Sequence, residues 1–375
     1  MRREHVIEID PKKTLGQQPA SGHNRWHEDI EPVVEVEPGD TVVYETRDAF
    51  DGQLGPHSTA EDVAGLNLNV VHPLTGPVFV KGAQPGDLLE VTVIDHEPDP
   101  WDQWGYTAEV PGFGFLRDQF EEPFIVHWRL ADKLFAESEQ LPGVRLRCSP
   151  MLGTFGLAPS RELRERVIAR ENDLADRGGM VLGPEPSDAV PSDERISTGA
   201  LRTIAPHEVG GNIDIKQTTP GVTLLYPVHA EGGLASTGDH HYAQGDCEAC
   251  GTGVEIRSRV HVRFGLRKQE ASLRGIQDLQ FFRDDYFTSP DLAAPRRFYA
   301  TTGMSIRKDG RNESEDTTVA ARNALLNMID YLGTRGYDRK QAYAICSCAV
   351  DLRISQLVDV PNMMVSAFLP LDIFI

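Results

Sequence analysis

Along the first part of the chain, β-branched and apolar residues come in short alternating runs, each opened by the same turn. Glu37-Pro-Gly-Asp-Thr-Val-Val-Tyr-Glu-Thr46 and Gln84-Pro-Gly-Asp-Leu-Leu-Glu-Val-Thr-Val93 share a Pro-Gly pair followed by a β-rich run, and Thr219-Pro-Gly-Val-Thr-Leu-Leu-Tyr-Pro-Val228 repeats the device in mid-chain. Proline presets the first turn angle, glycine takes the positive one, and the β-branched residues then extend. The copies are too irregularly spaced for a solenoid. They predict a mainly β protein, a sandwich of many short strands.

The helical pattern is sparser and lies later. Ser160–Leu174 reads as a charged helix with Ser160 as N-cap and a thin apolar side of Leu163, Val167 and Ala169. Gly178–Ser197, rich in Gly, Pro, Ser and Asp, reads as a long surface loop. Ala321, Leu325, Met328 and Leu332 fall on one helix face that stops near Gly333, and Asp338 caps a second helix over about Arg339–Val350. Val365–Ile375 reads as a buried strand. The expected organisation is therefore a β-sandwich core over about 1–300 with an additional α+β portion toward the C-terminus, about 300–375.

Composition narrows the function classes. Of 375 residues, 37 are Lys or Arg and 57 are Asp or Glu, a net charge of −20 with no basic stripe. Phosphate backbones need clustered cations, so nucleic acid is not an expected partner, and an anionic membrane surface is equally disfavoured. No apolar window reaches membrane-spanning or signal-peptide length, and no signal peptide is expected. The cysteines are Cys148, Cys247, Cys250, Cys346 and Cys348. That is an odd number in a long chain, which points to reduced thiols and a cytoplasmic setting.

Polar chemistry concentrates in Pro206-His-Glu-Val-Gly-Gly-Asn212-Ile-Asp214 and in Gly238-Asp239-His240-His241-Tyr-Ala-Gln244-Gly-Asp246-Cys247-Glu248-Ala-Cys250-Gly-Thr-Gly-Val-Glu255. Carboxylate oxygens and neutral imidazole nitrogens are what a divalent cation needs. If Asp239-His240-His241 is extended, Asp239 and His241 share one face and can grip one ion. The plain alternative is a polar turn between strands. Like charges packed this densely repel unless a cation offsets them, which favours a site.

Other candidates are weaker. Cys247-x-x-Cys250 lacks a second such pair for a zinc ribbon, and Cys250 as an acyl-transfer nucleophile would take His240 or His241 as its base. A second polar set comprises His23, His27, Asp48, Asp51 and His72; Asp48 follows the Val42–Thr46 strand, where sandwich binding loops sit, and His72 reads equally as a structural histidine. Dinucleotide, phosphate-loop and serine-elbow motifs are absent.

Together these blocks resemble the acetamidase/formamidase family. Gly-Gly-Asn212-Ile-Asp214, Gly-Asp239-His-His241, Gln244-Gly-Asp246-Cys-Glu248 and Cys250-Gly-Thr carry the likeness, and so do Asp48-Ala-Phe-Asp-Gly-Gln53, His72-Pro-Leu-Thr-Gly-Pro-Val-Phe-Val-Lys-Gly-Ala83 and Asp351-Leu-Arg-Ile-Ser-Gln-Leu-Val-Asp359. It runs from about His23 to the closing Pro-Leu-Asp-Ile-Phe374. The resemblance implies hydrolysis of short aliphatic amides, formamide or acetamide, to carboxylate and ammonia. It also implies a jelly-roll-like sandwich and a divalent metal, with zinc the first expectation and calcium the second.

On that reading Asp214, Asp239 and His241 are the expected ligands, with Asp48 as a fourth. Glu248 is the general acid/base, and Asn212 or Gln244 donates to the tetrahedral oxyanion. His240 and Cys247 stand where the family has smaller residues, so they are expected at the pocket wall, narrowing it. The expected partner is a small-molecule amide, and the expected assembly a homo-oligomer. A Cys250 thiolate amidase and a non-catalytic ligand-binding sandwich remain the alternatives.

Overall fold

The computed structural model describes residues 2–131, 134–284 and 297–375. The three Pro-Gly turns form as expected: Gly39, Gly86 and Gly221 take φ values of 102°, 94° and 97°, which cost a residue without Cβ nothing. Asp40 and Asp87 close the first two by accepting the Glu37 and Gln84 backbone N–H groups at 3.1 and 2.8 Å. The strands that follow, Thr41–Thr46, Leu88–Pro98 and Thr223–Pro227, all enter one sheet. Its order is Glu4–Ile7, Thr41–Thr46, Ser258–Arg267, Leu88–Pro98, Thr223–Pro227 and Gln280–Phe282, with only the first pair parallel.

A second, larger sheet faces it. Its central strands are Trp104–Glu109, Glu255–Ile256, Ala235–His241, Met151–Gly156 and Gly210–Asn212, and Leu74–Val80 branches from Ala235–His241. Strict alternation along Ser258–Arg267 turns Val260, Val262 and Phe264 inward. There they meet Val42, Tyr44, Val91 and Val93 of their own sheet and Leu74, Val78, Leu152 and Phe155 of the other. This is a β-sandwich core of the mainly β kind the pattern predicts.

The last part of the chain forms a three-stranded sheet, Phe298–Met304, Met364–Pro370 and Asp351–Gln356, beside the helices Thr317–Thr334 and Arg339–Ala349. Asp338 caps the second helix through Gln341 N at 2.9 Å. Ala324, Leu325, Met328 and Leu332 pack into one cluster with Val126, Trp128, Tyr242 and Cys250. The α+β portion thus shares a core with the larger sheet. Among the described residues no helix is long and apolar enough to cross a membrane.

Three local expectations change. The first helix spans Arg161–Asp176 with Ser160 as its cap, but Ala169 faces solvent, and Arg164 is buried against Glu28 at 2.8 Å instead. The Gly178–Ser197 loop ends in a short helix, Glu194–Ser197, capped by Asp193. The final strand stops at Pro370, after which Leu371–Ile373 turns.

Candidate active site

The site is built on the strand Ala235–His241, every residue of which is buried. Asp239 has φ +53°, the left-handed region, and so breaks the simple alternation of the strand. The neighbouring strand accommodates this with Gly153. A Cβ there would lie 2.0 Å from the Asp239 carbonyl oxygen and 3.1 Å from His241 Nε2. Asp239 and His241 still reach one point, with Oδ1 3.5 Å from Nε2.

Other elements deliver the remaining carboxylates. Asp214 follows the strand Gly210–Asn212, and the N–H groups of Ile213 and Asp214 both donate to the Gly153 carbonyl at 2.9 and 3.1 Å. Its Oδ1 lies 4.0 Å from His241 Nε2. Glu248 comes from a loop in which Cys247 and Glu248 have φ values of 100° and 46°. The C-terminal portion holds that loop: Gly245 N donates to Ser347 O at 2.8 Å, and Asp246 N to Asp351 Oδ1 at 3.0 Å. Glu248 Oε1 ends 3.8 Å from His241 Nε2.

Glu255 is the residue the sequence reading assigned no role. It pairs directly with His241 across antiparallel strands, and its Oε1 lies 3.1 Å from Nε2. Strand pairing is not written in the spacing of the two residues; the only signal was a lone acid closing a run of small residues. Asp214, Asp239 and His241 form one triad of ligand atoms within 4.8 Å of one another, and His241, Glu248 and Glu255 form another.

Gln244 sets the histidine's orientation. Its Oε1 accepts from His241 Nδ1 at 2.7 Å and its Nε2 donates to the Asp214 carbonyl at 2.8 Å. A proton on Nδ1 makes Nε2 the nitrogen that faces the carboxylates, with a lone pair for a cation whenever it is unprotonated. Both ends of the Gln244 amide are therefore engaged, and it sits behind the histidine. Asn212 accepts from Thr154 Oγ1 at 2.8 Å and donates one N–H to Ile204 O at 3.1 Å, and it lines the cavity above the cluster.

Burial shapes the charges. It raises Asp214 to about 7, helped by Asp239, and it raises Glu255 to about 8. Glu248 is pushed well up by burial and by Asp214. Asp239 is buried too, yet His72 and His241 hold its carboxyl low. His241 is raised, because Glu255 and Asp239 outweigh its burial. Four carboxyls thus crowd one imidazole, and protons are retained because too little positive charge is present to offset them. His241 Nε2, Asp214 Oδ1 and Glu255 Oε2 are buried without a hydrogen-bond partner. His241 Nε2 and Asp214 Oδ1 belong to one ligand triad, and orphaned ligand atoms so close together fit a divalent cation.

The remaining expected residues lie elsewhere. Asp48 is not part of either triad; it accepts from Tyr106 Oη at 2.7 Å and from the N–H groups of Phe50 and Gly52. His240 points to the opposite side of its strand, between Thr237 Oγ1 at 2.8 Å and Ser258 Oγ at 2.5 Å, edge-on to His96. Cys247 is exposed. Neither His240 nor Cys247 lines the cavity, so neither narrows it. His72 does line it, with Nε2 3.7 Å from Asp239 Oδ2. Cys250 is 1% exposed inside the helix-side core, and burial pushes its thiol up to about 12, which disfavours the thiolate a nucleophile needs.

The cavity itself holds ≈ 200 Å³ and is lined by Asn212, Asp239, Glu248 and Glu255 together with apolar side chains. Residues 8–375 match the profile of the Acetamidase/Formamidase family. The chain is 33% identical to the formamidase of Methylophilus methylotrophus, across 98% of this chain and 93% of that one. It is 35% identical to the acetamidase of Mycolicibacterium smegmatis, across 91% and 89%. Among solved structures, a gamma lactamase from Delftia acidovorans superposes with a TM-score of 0.93 at 33% identity, across 99% of this chain and 93% of that one. Its fold, its buried acid and histidine cluster and these likenesses agree, and the chain belongs to the acetamidase/formamidase family.

Proposed function

We propose that the chain hydrolyses amides to carboxylate and ammonia at the cluster of Asp214, Asp239, His241, Glu248 and Glu255, with zinc as the resident cation. Formamide and acetamide are the first substrates, by the names of the two relatives. The observation that carries the reading is the pair of ligand triads sharing His241, with three orphaned ligand atoms, beside a cavity lined by Asp239, Glu248 and Glu255. A mixed oxygen and imidazole set suits zinc better than calcium, which prefers six or more oxygens.

A bound divalent cation supplies a Lewis acid for the carbonyl and acidifies water. The chain's own groups do the rest. Asp214, Asp239 and His241 hold the cation, and Gln244 keeps the His241 lone pair aimed at it. Glu248 lines the cavity; ionised where a cation offsets the crowding, it would take a proton from the attacking water and pass it to the amide nitrogen, which cannot leave as an anion. Glu255, opposite His241, would ionise and add negative charge where a cation offsets the crowding. Asn212 keeps one amide N–H free for the oxyanion. The products are a carboxylate and ammonia, which takes up a proton at neutral pH.

The neighbour named gamma lactamase brings in cyclic amides as a second reading, whose product keeps its amine. We place the protein in the cytoplasm as a homo-oligomer; its five free cysteines and the exposed apolar residues Ile354, Val358 and Val360 support that setting. The test combines elemental analysis of the purified protein with ammonia release from formamide and acetamide, before and after chelation. Stoichiometric zinc and chelator-sensitive activity restored by zinc are expected. Full activity in metal-free protein rejects the cation, and no activity on either amide rejects formamide and acetamide as its substrates.

A further inference from the structure

The cavity over the cluster is far larger and more apolar than formamide or acetamide requires. Phe50 and Val71 are buried in its wall, and Leu68, Val110, Phe113 and Ile204 stand half-buried around it. A formyl group brings one hydrogen and an acetyl group one methyl, and neither covers ≈ 200 Å³ lined in this way. The wall is also firmly set. Phe50, Val71, Leu68, Val110 and Ile204 belong to one hydrophobic cluster. The Phe113 loop is tied down by Phe115 N to Ala249 O at 2.9 Å and Leu116 N to Tyr343 Oη at 2.8 Å. Apolar surface held open beside catalytic carboxyls gains free energy only when an apolar group covers it.

A second cavity shows which end of the amide goes where. Glu255 lines both, and the other, ≈ 260 Å³, is the more polar of the two, with Arg47, Asp48, Asp51 and Arg257 beside Leu54 and Trp104. An apolar chain on that side would also strip water from Arg47, Asp51 and Arg257, which costs free energy, whereas ammonia finds acceptors there. We infer that the apolar cavity receives the acyl substituent, so that the chain also hydrolyses primary amides with bulky apolar acyl groups, such as isovaleramide and phenylacetamide, with higher kcat/KM than acetamide. This rests on the amide-hydrolase reading above. Leu68, Val110 and Phe113 are then specificity-determining residues.

The test is a panel of formamide, acetamide, isovaleramide and phenylacetamide with the full-length metal-loaded protein, read by ammonia release. N-butylformamide, read by formate, is added as the reversed arrangement. Each buried carbon beyond acetamide should raise kcat/KM roughly fourfold until the cavity fills, so isovaleramide and phenylacetamide should exceed acetamide by roughly tenfold or more. Val110→Trp, which fills the cavity, should cut the phenylacetamide-to-acetamide ratio at least tenfold; Leu68→Trp at the rim is the second filling variant if the first does not fold. If acetamide matches or beats both bulky amides in the wild type, the inference falls and amide hydrolysis stands. If N-butylformamide outpaces phenylacetamide, the acyl assignment is reversed. A ratio unmoved in both variants removes the wall from specificity, and silence on every amide sinks the hydrolase reading itself.

Discussion

Glu255 and His241 face each other as direct partners on neighbouring antiparallel strands, with carboxylate oxygen and ring nitrogen 3.1 Å apart. The contact places a fourth carboxyl on an imidazole already shared by Asp214, Asp239 and Glu248. Glu255→Gln keeps the shape and removes the charge. It should lower bound zinc measurably and cut kcat/KM roughly a hundredfold. Metal content and turnover both at the wild-type level would remove Glu255 from the site.

Glu248 and Cys250 lie in one loop but in opposite environments, one on the cavity and one in the core. Glu248→Gln should lower kcat by roughly two or more orders of magnitude, as loss of an acid/base group does. Cys250→Ala should keep more than half of wild-type kcat at a modest cost in stability. An acyl-enzyme trapped on Cys250 and seen by mass spectrometry would reverse the assignment.

Gln244 acts through His241. Gln244→Met fills similar space but cannot accept from Nδ1, so the ring loses its fixed tautomer. Zinc affinity should fall roughly 10- to 100-fold, read by chelator competition, with kcat recovered at saturating metal. If affinity is unchanged and kcat alone falls, Gln244 faces substrate and not the ring.

Gly153 has no room for a methyl group, because the nearest atom is the Asp239 backbone carbonyl, which cannot rotate away. Gly153→Ala should displace Asp239 and His241, lose roughly a hundredfold or more in activity, and cost about 1–3 kcal/mol in denaturant unfolding. A variant as active as wild type would show the strand to be far more pliant than its packing suggests.

Glu109 is buried with neither carboxyl oxygen hydrogen-bonded, and burial raises its pKa from 4.5 to about 9. Between those values the folded chain holds a proton that the unfolded chain has released. This group therefore stabilises less as pH rises, by at most about 1.4 kcal/mol per pH unit. Glu109→Gln has no proton to lose. Urea midpoints should be similar for both proteins near pH 5, with the variant higher at pH 8. A wild-type advantage that grows with pH would mean that Glu109 is paired as an anion.

The sequence alone determined what near neighbours decide. The Pro-Gly turns and the strands behind them, the Ser160 and Asp338 caps and the face of the Thr317–Thr334 helix follow from backbone preferences and periodicity within a few residues. The crowding of Asp239, His241 and Glu248 was visible because they lie close along the chain, and Asp214 came with its neighbouring motif. Only the tertiary structure decided which acids converge. Register put Glu255 opposite His241, whereas Asp48, equally acidic and next to a strand, was satisfied by Tyr106 and its own turn. Even the direction of His240 depended on distant atoms. The left-handed turn at Asp239 is permitted only because Gly153, on another strand, leaves the space, and the Glu248 loop is held by Asp351 of the α+β portion. Such contacts join residues far apart in the chain, and no local pattern records them.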